Sequence, residues 1–168
     1  MRVFAFKNMK ATKSSSGGAF PSIASVVAGL NNSELYVYGA AFNNMFQVEH
    51  ICKPYSMGID ELSESKYVRS LSGPAMQDAI SRLTKGQRVL FTGTPCQIYA
   101  LKELVKKKSI DDKYLYTVDL ICHGTPKNCI WKAYLKYAQE RHTIEYVSFR
   151  HRSNIKSLMA SLWLNTRV

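Results

Sequence analysis

The sequence predicts an α/β fold: a mixed, largely parallel sheet flanked by helices, with an early antiparallel hairpin. Two observations carry this expectation. From Arg88 onward, short apolar runs alternate with helical patterns, the order produced by parallel strands joined through helical crossovers. Before that point, Leu35 to Phe42 and Gln47 to Lys53 alternate as two strands around Asn43-Asn44, a dipeptide suited to a hairpin turn.

In chain order, Arg2-Val3-Phe4-Ala5-Phe6 alternates as a short strand, and Lys7 to Lys13 is a polar connector. Ser14-Ser15-Ser16-Gly17-Gly18 then leads into a helix of small apolar residues from Ala19 to Leu30, where Pro21 is tolerated because it lies in the first turn. Pro54 ends the second hairpin strand. A polar segment from Tyr55 to Gly73 precedes a helix that Pro74 opens and Lys85-Gly86 caps. The remainder reads as strand 88–92, helix 97–108, strand 114–121, helix 127–140, strand 143–150 and an apolar run from Leu158 to Leu164. No internal repeat or low-complexity segment interrupts it.

A chain of 168 residues with 46% hydrophobic content suits one core, so residues 1–168 are expected to form a single domain. No apolar run is long enough to span a bilayer, and the amino terminus lacks a signal-peptide pattern; the expected compartment is the cytoplasm. Cysteines 52, 96, 122 and 129 show no close-spaced disulfide framework, which favours reduced thiols or metal ligands. The formal charge of +11 and pI near 9.6 admit a basic nucleic-acid-binding domain. Most cations are scattered singly, however, and Lys106-Lys107-Lys108 falls at a helix end where it complements the dipole. A solvated basic surface, tolerant of phosphate-bearing cofactors or an acidic partner, fits this distribution better than nucleic acid does.

Chemistry concentrates in two strand-to-helix loops. Gly93-Thr94-Pro95-Cys96-Gln97 follows the apolar strand at Arg88-Val89-Leu90-Phe91, and Cys122-His123-Gly124-Thr125-Pro126 follows the apolar strand at Thr117-Val118-Asp119-Leu120-Ile121. A cysteine between a buried strand and a helix meets unpaired N–H groups and the positive end of the helix dipole, which stabilise a thiolate, the nucleophilic and metal-binding form. Parallel strands would open both loops on one edge of the sheet, the edge where open α/β sheets bind ligands. The spacing of 26 residues is not a compact metal motif, and no arginine stands six residues after either cysteine as a phosphatase loop requires. His123 could serve as a base or as a loop packing residue. Cys52, inside a strand, and Cys129, inside an amphipathic helix, are expected in the core.

Ser14 to Gly18 could cradle a phosphate at a helix start, although the stretch lacks Walker or Gly-x-Gly-x-x-Gly spacing and a plain N-cap fits equally. Lys66, Tyr67 and Arg69 would suit stacking on a flat aromatic cofactor or binding its phosphates; a solvated loop accounts for them nearly as well. Tyr36, Tyr38, Phe42, Tyr114, Tyr116, Trp131, Tyr134 and Tyr137 fall mostly at strand or helix periodicity and are expected in the core.

Taken together, Ser14-Ser15-Ser16-Gly17-Gly18, Val37-Tyr38-Gly39-Ala40-Ala41-Phe42, Ser65-Lys66-Tyr67-Val68, Leu90-Phe91-Thr92-Gly93-Thr94-Pro95-Cys96-Gln97, Val118-Asp119-Leu120-Ile121-Cys122-His123-Gly124 and Val147-Ser148-Phe149-Arg150 resemble, in order and approximate spacing, the coenzyme F420 hydrogenase/dehydrogenase beta-subunit family. The resemblance spans nearly the whole chain. It implies a flavin-dependent iron-sulfur oxidoreductase subunit in which FAD relays electrons between a cluster and an organic acceptor such as coenzyme F420. It also implies a redox partner subunit or ferredoxin-like protein. By this likeness Ser16, Gly17 and Gly18 lie at the flavin phosphates, Lys66, Tyr67 and Thr94 bind cofactor or acceptor, and Cys96 and Cys122 ligate the cluster through soft thiolates suited to iron.

Two departures qualify the likeness. The ferredoxin-like amino-terminal segment with a Cys-x-x-Cys-x-x-Cys pattern is missing, and so are further downstream cysteines; the chain reads as a core, incomplete at its carboxyl end. Two matching cysteines leave a four-cysteine cluster open unless Cys52, Cys129 or another segment contributes, so this form is expected to be isolated without its cluster. The alternative is a noncatalytic relative or fragment linked to polysaccharide biosynthesis.

Overall fold

The computed structural model describes residues 18–149 and 163–167. Helix α1 (Ala19–Gly29) leads to the hairpin β1 (Leu35–Phe42) and β2 (Val48–Pro54), and two 3-10 turns, Tyr55–Met57 and Asp60–Leu62, follow. Then come α2 (Gly73–Thr84), β3 (Arg88–Gly93), α3 (Pro95–Lys107), β4 (Leu115–Asp119), α4 (Asn128–Gln139), β5 (Thr143–Ser148) and β6 (Trp163–Arg167). The main sheet has the order β2-β1-β3-β4. β1, β3 and β4 are parallel and only β2 is antiparallel, which gives the mixed α/β architecture its sequence implies. The expected strand at residues 2–6 and the run at 158–162 lie outside the described residues.

The hairpin closes where Asn43 accepts the amide of Phe46 and donates to Gln47, while its side chain takes the amides of Met45 and Gln47. Phe46 adopts a left-handed φ of 54° in this turn. β2 is flanked on its outer side by Leu71, whose N–H donates to Val48 and whose carbonyl accepts from His50.

Each face of the sheet holds its own core. α2 and α3 bury Met76, Ile80, Leu83, Ile98, Leu101 and Val105 against Tyr38, Val89 and Phe91. α1 and the 3-10 turns bury Ala24, Val27, Ile59 and Leu62 against Leu35, Val37 and Leu90 on the other. α2 is further pinned by Tyr38, whose hydroxyl donates to Asp78 at 2.5 Å, and Arg82 donates to the same carboxylate oxygen at 3.0 Å while lying over the Tyr36 ring. Burial alone would raise the Asp78 pKa, but these donors and the Arg82 charge outweigh it and hold the carboxyl below its ordinary range.

Arg88 fixes the amino edge. It is 2% exposed at the first position of β3, and its guanidinium donates to the carbonyls of Val27, Ala28, Asn31 and Ser33, closing the carboxyl end of α1. Eleven residues of helix rise about 16 Å, so α1 returns from the opposite, carboxyl edge. There it starts at Gly18, whose φ of 79° suits a residue without a Cβ, and the amide and hydroxyl of Ser22 bond the Gly18 carbonyl.

Three expectations need correction. β5 does not extend the parallel sheet; it pairs antiparallel with β6 in a separate two-stranded ribbon. The cause is α4, which packs Trp131 and Leu135 against Val48 and Val68 beside the hairpin tip, with Trp131 Nε1 donating to the Phe46 carbonyl at 2.8 Å. The chain leaving α4 therefore starts away from β4. Second, Cys129 is exposed, not core. The buried face of α4 is Trp131, Leu135 and Ala138, and a residue two positions before Trp131 lies roughly 200° around the helix from it. Third, Tyr134 and Tyr137 on α4 are partly exposed; Arg141 covers the Tyr137 ring at 3.8 Å. No helix among the described residues is long and apolar enough to cross a membrane.

A candidate site at the carboxyl edge

β3 ends at Gly93, and Thr94 turns the chain into α3. Thr94 is extended (φ −70°, ψ 157°) and forms a reciprocal capping box with Gln97. Gln97 Oε1 accepts the Thr94 N–H at 3.0 Å, and Gln97 Nε2 donates to Ser70 Oγ at 3.0 Å. The start of α3 is thus tied to the segment that carries Lys66, Tyr67 and Arg69. Cys96 is exposed in the first turn, its Sγ 3.2 Å from Thr94 Oγ1.

β4 delivers the second thiol. Gly93 is in register with Asp119, and the Leu120 N–H donates to the Gly93 carbonyl at 2.9 Å. Cys122 follows, exposed, with the N–H of Gly124 donating to its Sγ at 3.4 Å; Gly124 has a φ of 110°, which disfavours any side chain. The two cysteine loops therefore leave neighbouring parallel strands on one edge, and α1 begins toward that edge at Gly18. Ser16 and Gly17 lie outside the described residues.

Lys66 is half-buried, with its ammonium donating to the carbonyls of Glu61 at 2.7 Å and Glu64 at 3.0 Å. Burial lowers its pKa to about 8 against the opposing charges of Glu64 and Glu61. Tyr67 is exposed and meets Phe149 edge-on at 5.8 Å, while Val68 between Tyr67 and Arg69 is buried in the α4 cluster. Arg69 is exposed and pairs with no carboxylate among the described residues. Cys52 stands apart from the edge. It is half-buried opposite Tyr38 in the hairpin, and burial pushes its thiol up in spite of Tyr38 and Arg82.

One residue beneath this edge has no precedent among the sequence motifs. His50 on β2 is 7% exposed, stacks on Phe91 at 5.2 Å, and places Nε2 2.9 Å from the Thr92 carbonyl; its Nδ1 meets no partner. Burial lowers its pKa, against the effect of the Thr92 bond. The ring crosses the sheet because its neighbours in that row are Ala40 and Gly93. A Cβ on Gly93 would lie 3.6 Å from His50 Nε2 and 3.1 Å from Gln97 Oε1. The only sequence signal for this was alternation, since Val48, His50 and Cys52 share a parity.

Among the described residues no three His, Cys, Asp or Glu side chains gather as a metal-binding group. Cys96 and Cys122 are exposed on this edge, and two thiols do not by themselves compose a four-thiolate cage. No curated protein matches the chain. Residues 86–162, which run from the turn before β3 through both cysteine loops, α4 and β5, match the family model that describes the carboxyl terminus of the coenzyme F420 hydrogenase/dehydrogenase beta subunit. Over residues 86–162, the chain is thus similar to the coenzyme F420 hydrogenase/dehydrogenase beta subunits.

Proposed function

We propose that the chain is the core of a flavin- and iron-sulfur-dependent oxidoreductase subunit, and that its carboxyl edge is the cofactor edge. The observation that carries this reading is the pairing of the Cys96 and Cys122 loops on neighbouring parallel strands, tied by the Leu120–Gly93 bond. In this reading Cys96 and Cys122 supply two thiolate ligands, and the remaining ligands come from outside the described residues. Ser16, Gly17 and Gly18 face the flavin phosphates, where backbone N–H groups at a helix start favour an anion. Lys66, Tyr67 and Thr94 border the flavin or its acceptor. A redox partner subunit or ferredoxin-like protein exchanges electrons with it in the cytoplasm.

A second reading, a relative that keeps the fold for binding alone, draws on the lack of a three-ligand group among the described residues. One experiment separates the two. The chain is incubated anaerobically with iron, sulfide, FAD and an excess of small thiol to complete coordination, then desalted. The first reading expects bound iron and flavin bands, with iron lost in Cys96→Ser and in Cys122→Ser and kept in Cys52→Ser. A colourless protein in every case favours the second.

A further inference from the structure

β4 forms one margin of the main sheet, and no strand of the described residues meets its outer side. Two bonds fix its phase: the Val89 N–H donates to Tyr114 at 3.0 Å, and the Leu120 N–H donates to Gly93 at 2.9 Å. In a parallel ladder, every second residue turns both backbone groups to the same neighbour. Tyr114, Tyr116, Val118 and Leu120 therefore serve β3, and Leu115, Thr117 and Asp119 turn theirs outward. Among the described residues, the Leu115 N–H is the one outward group that is taken, by the Asp112 carbonyl at 2.8 Å.

Soluble proteins blunt such margins with lysine, proline, a bulge or a covering segment. Leu-Tyr-Thr-Val-Asp has neither lysine nor proline, and its side chains join both cores: Leu115 on the α2–α3 face, Tyr116 and Val118 on the α1 face. The margin then continues into Leu120 and Ile121, the latter 92% exposed.

We infer that β4 is the contact between two copies of this chain, paired antiparallel about Thr117 so that two four-stranded sheets become one. The outward residues are symmetric about Thr117, so a two-fold axis there sets each against an outward residue of the second copy. Thr117 faces Thr117, exchanging both bonds, and each Asp119 N–H reaches the Leu115 carbonyl across the axis. Charge fits the same register. Asp119 is exposed and pairs with no cation among the described residues, and Lys113, whose ammonium lies over Tyr114, stands diagonal to it in the second copy. The axis supplies that ion pair twice.

The test is sedimentation equilibrium of the 168-residue chain across a wide concentration range. A dimer that dissociates on dilution is expected. Thr117→Pro removes an outward N–H without touching the β3 ladder and should leave only monomer, with helix content unchanged by circular dichroism. Asp119→Lys should raise the dissociation constant roughly tenfold through repulsion by Lys113, and Lys113→Asp in the same chain should restore it. Should Thr117→Pro fail to fold, the charge swap decides. A chain that stays monomeric throughout, or a dimer indifferent to the charge reversal, overturns the inference.

Discussion

The backbone N–H of Leu120 donates to the carbonyl oxygen of Gly93 at 2.9 Å, so the Cys96 and Cys122 loops depart from the sheet as one unit. A short bismaleimide should therefore bridge Cys96 to Cys122 within one molecule, because both thiols are exposed on the same edge. Leu120→Pro deletes the tie at a cost of about 1 kcal/mol and should reduce the bridge while leaving single labelling of Cys96 intact. Peptide mapping by mass spectrometry reads both outcomes, and an undiminished bridge would mean the bond does not hold the loops together.

Gly93→Ala should destabilise the fold by about 1–2 kcal/mol. The new methyl group would press on Gln97 at 3.1 and 3.3 Å, and Gln97 cannot swing aside without releasing Thr94 and Ser70. Urea unfolding measures the loss. Gly29→Ala, where no atom lies within 4 Å of the added methyl, is the control and should show no such strain.

His50 makes stability depend on pH with a definite sign. Its folded pKa lies below the ordinary 6.5 because burial disfavours the imidazolium. Between the lowered value and 6.5 the unfolded chain binds more protons than the folded one, so stability is full above 6.5 and falls as the pH drops through that window. His50→Gln keeps a donor near the Nε2 position and cannot titrate. Its stability, measured by denaturant unfolding at pH 7.5 and 5.5 (about one unit either side of the ordinary histidine range), should fall less on acidification than that of the parent chain. Equal slopes would assign the pH dependence to other groups.

Arg88→Met should cost about 3 kcal/mol or more, since the apolar stem is kept while the carbonyls of Val27, Ala28, Asn31 and Ser33 lose a buried charged donor. Hydrogen exchange should locate the loosening at the α1 carboxyl end before the rest of the sheet. A variant as stable as the parent would show that water replaces the guanidinium at no cost.

The sequence alone determined the strand and helix order from residue 35 onward and the strand-end positions of Cys96 and Cys122. These features follow from local pattern: period-two runs, a proline in the first helical turn, a glycine cap and a hairpin dipeptide each act over a few residues. Only the tertiary structure decided where α4 docks. Its Trp131 finds Phe46 at the hairpin tip 85 positions earlier, and that single long-range choice removes β5 from the main sheet, leaves β4 as its marginal strand among the described residues and turns Cys129 outward. His50 and Arg88 belong to the same class. Their parity or position in a strand was legible, but the partners that make them structural, Thr92 across the sheet and the carbonyls ending α1, lie 42 to 61 positions away, beyond the reach of any local pattern.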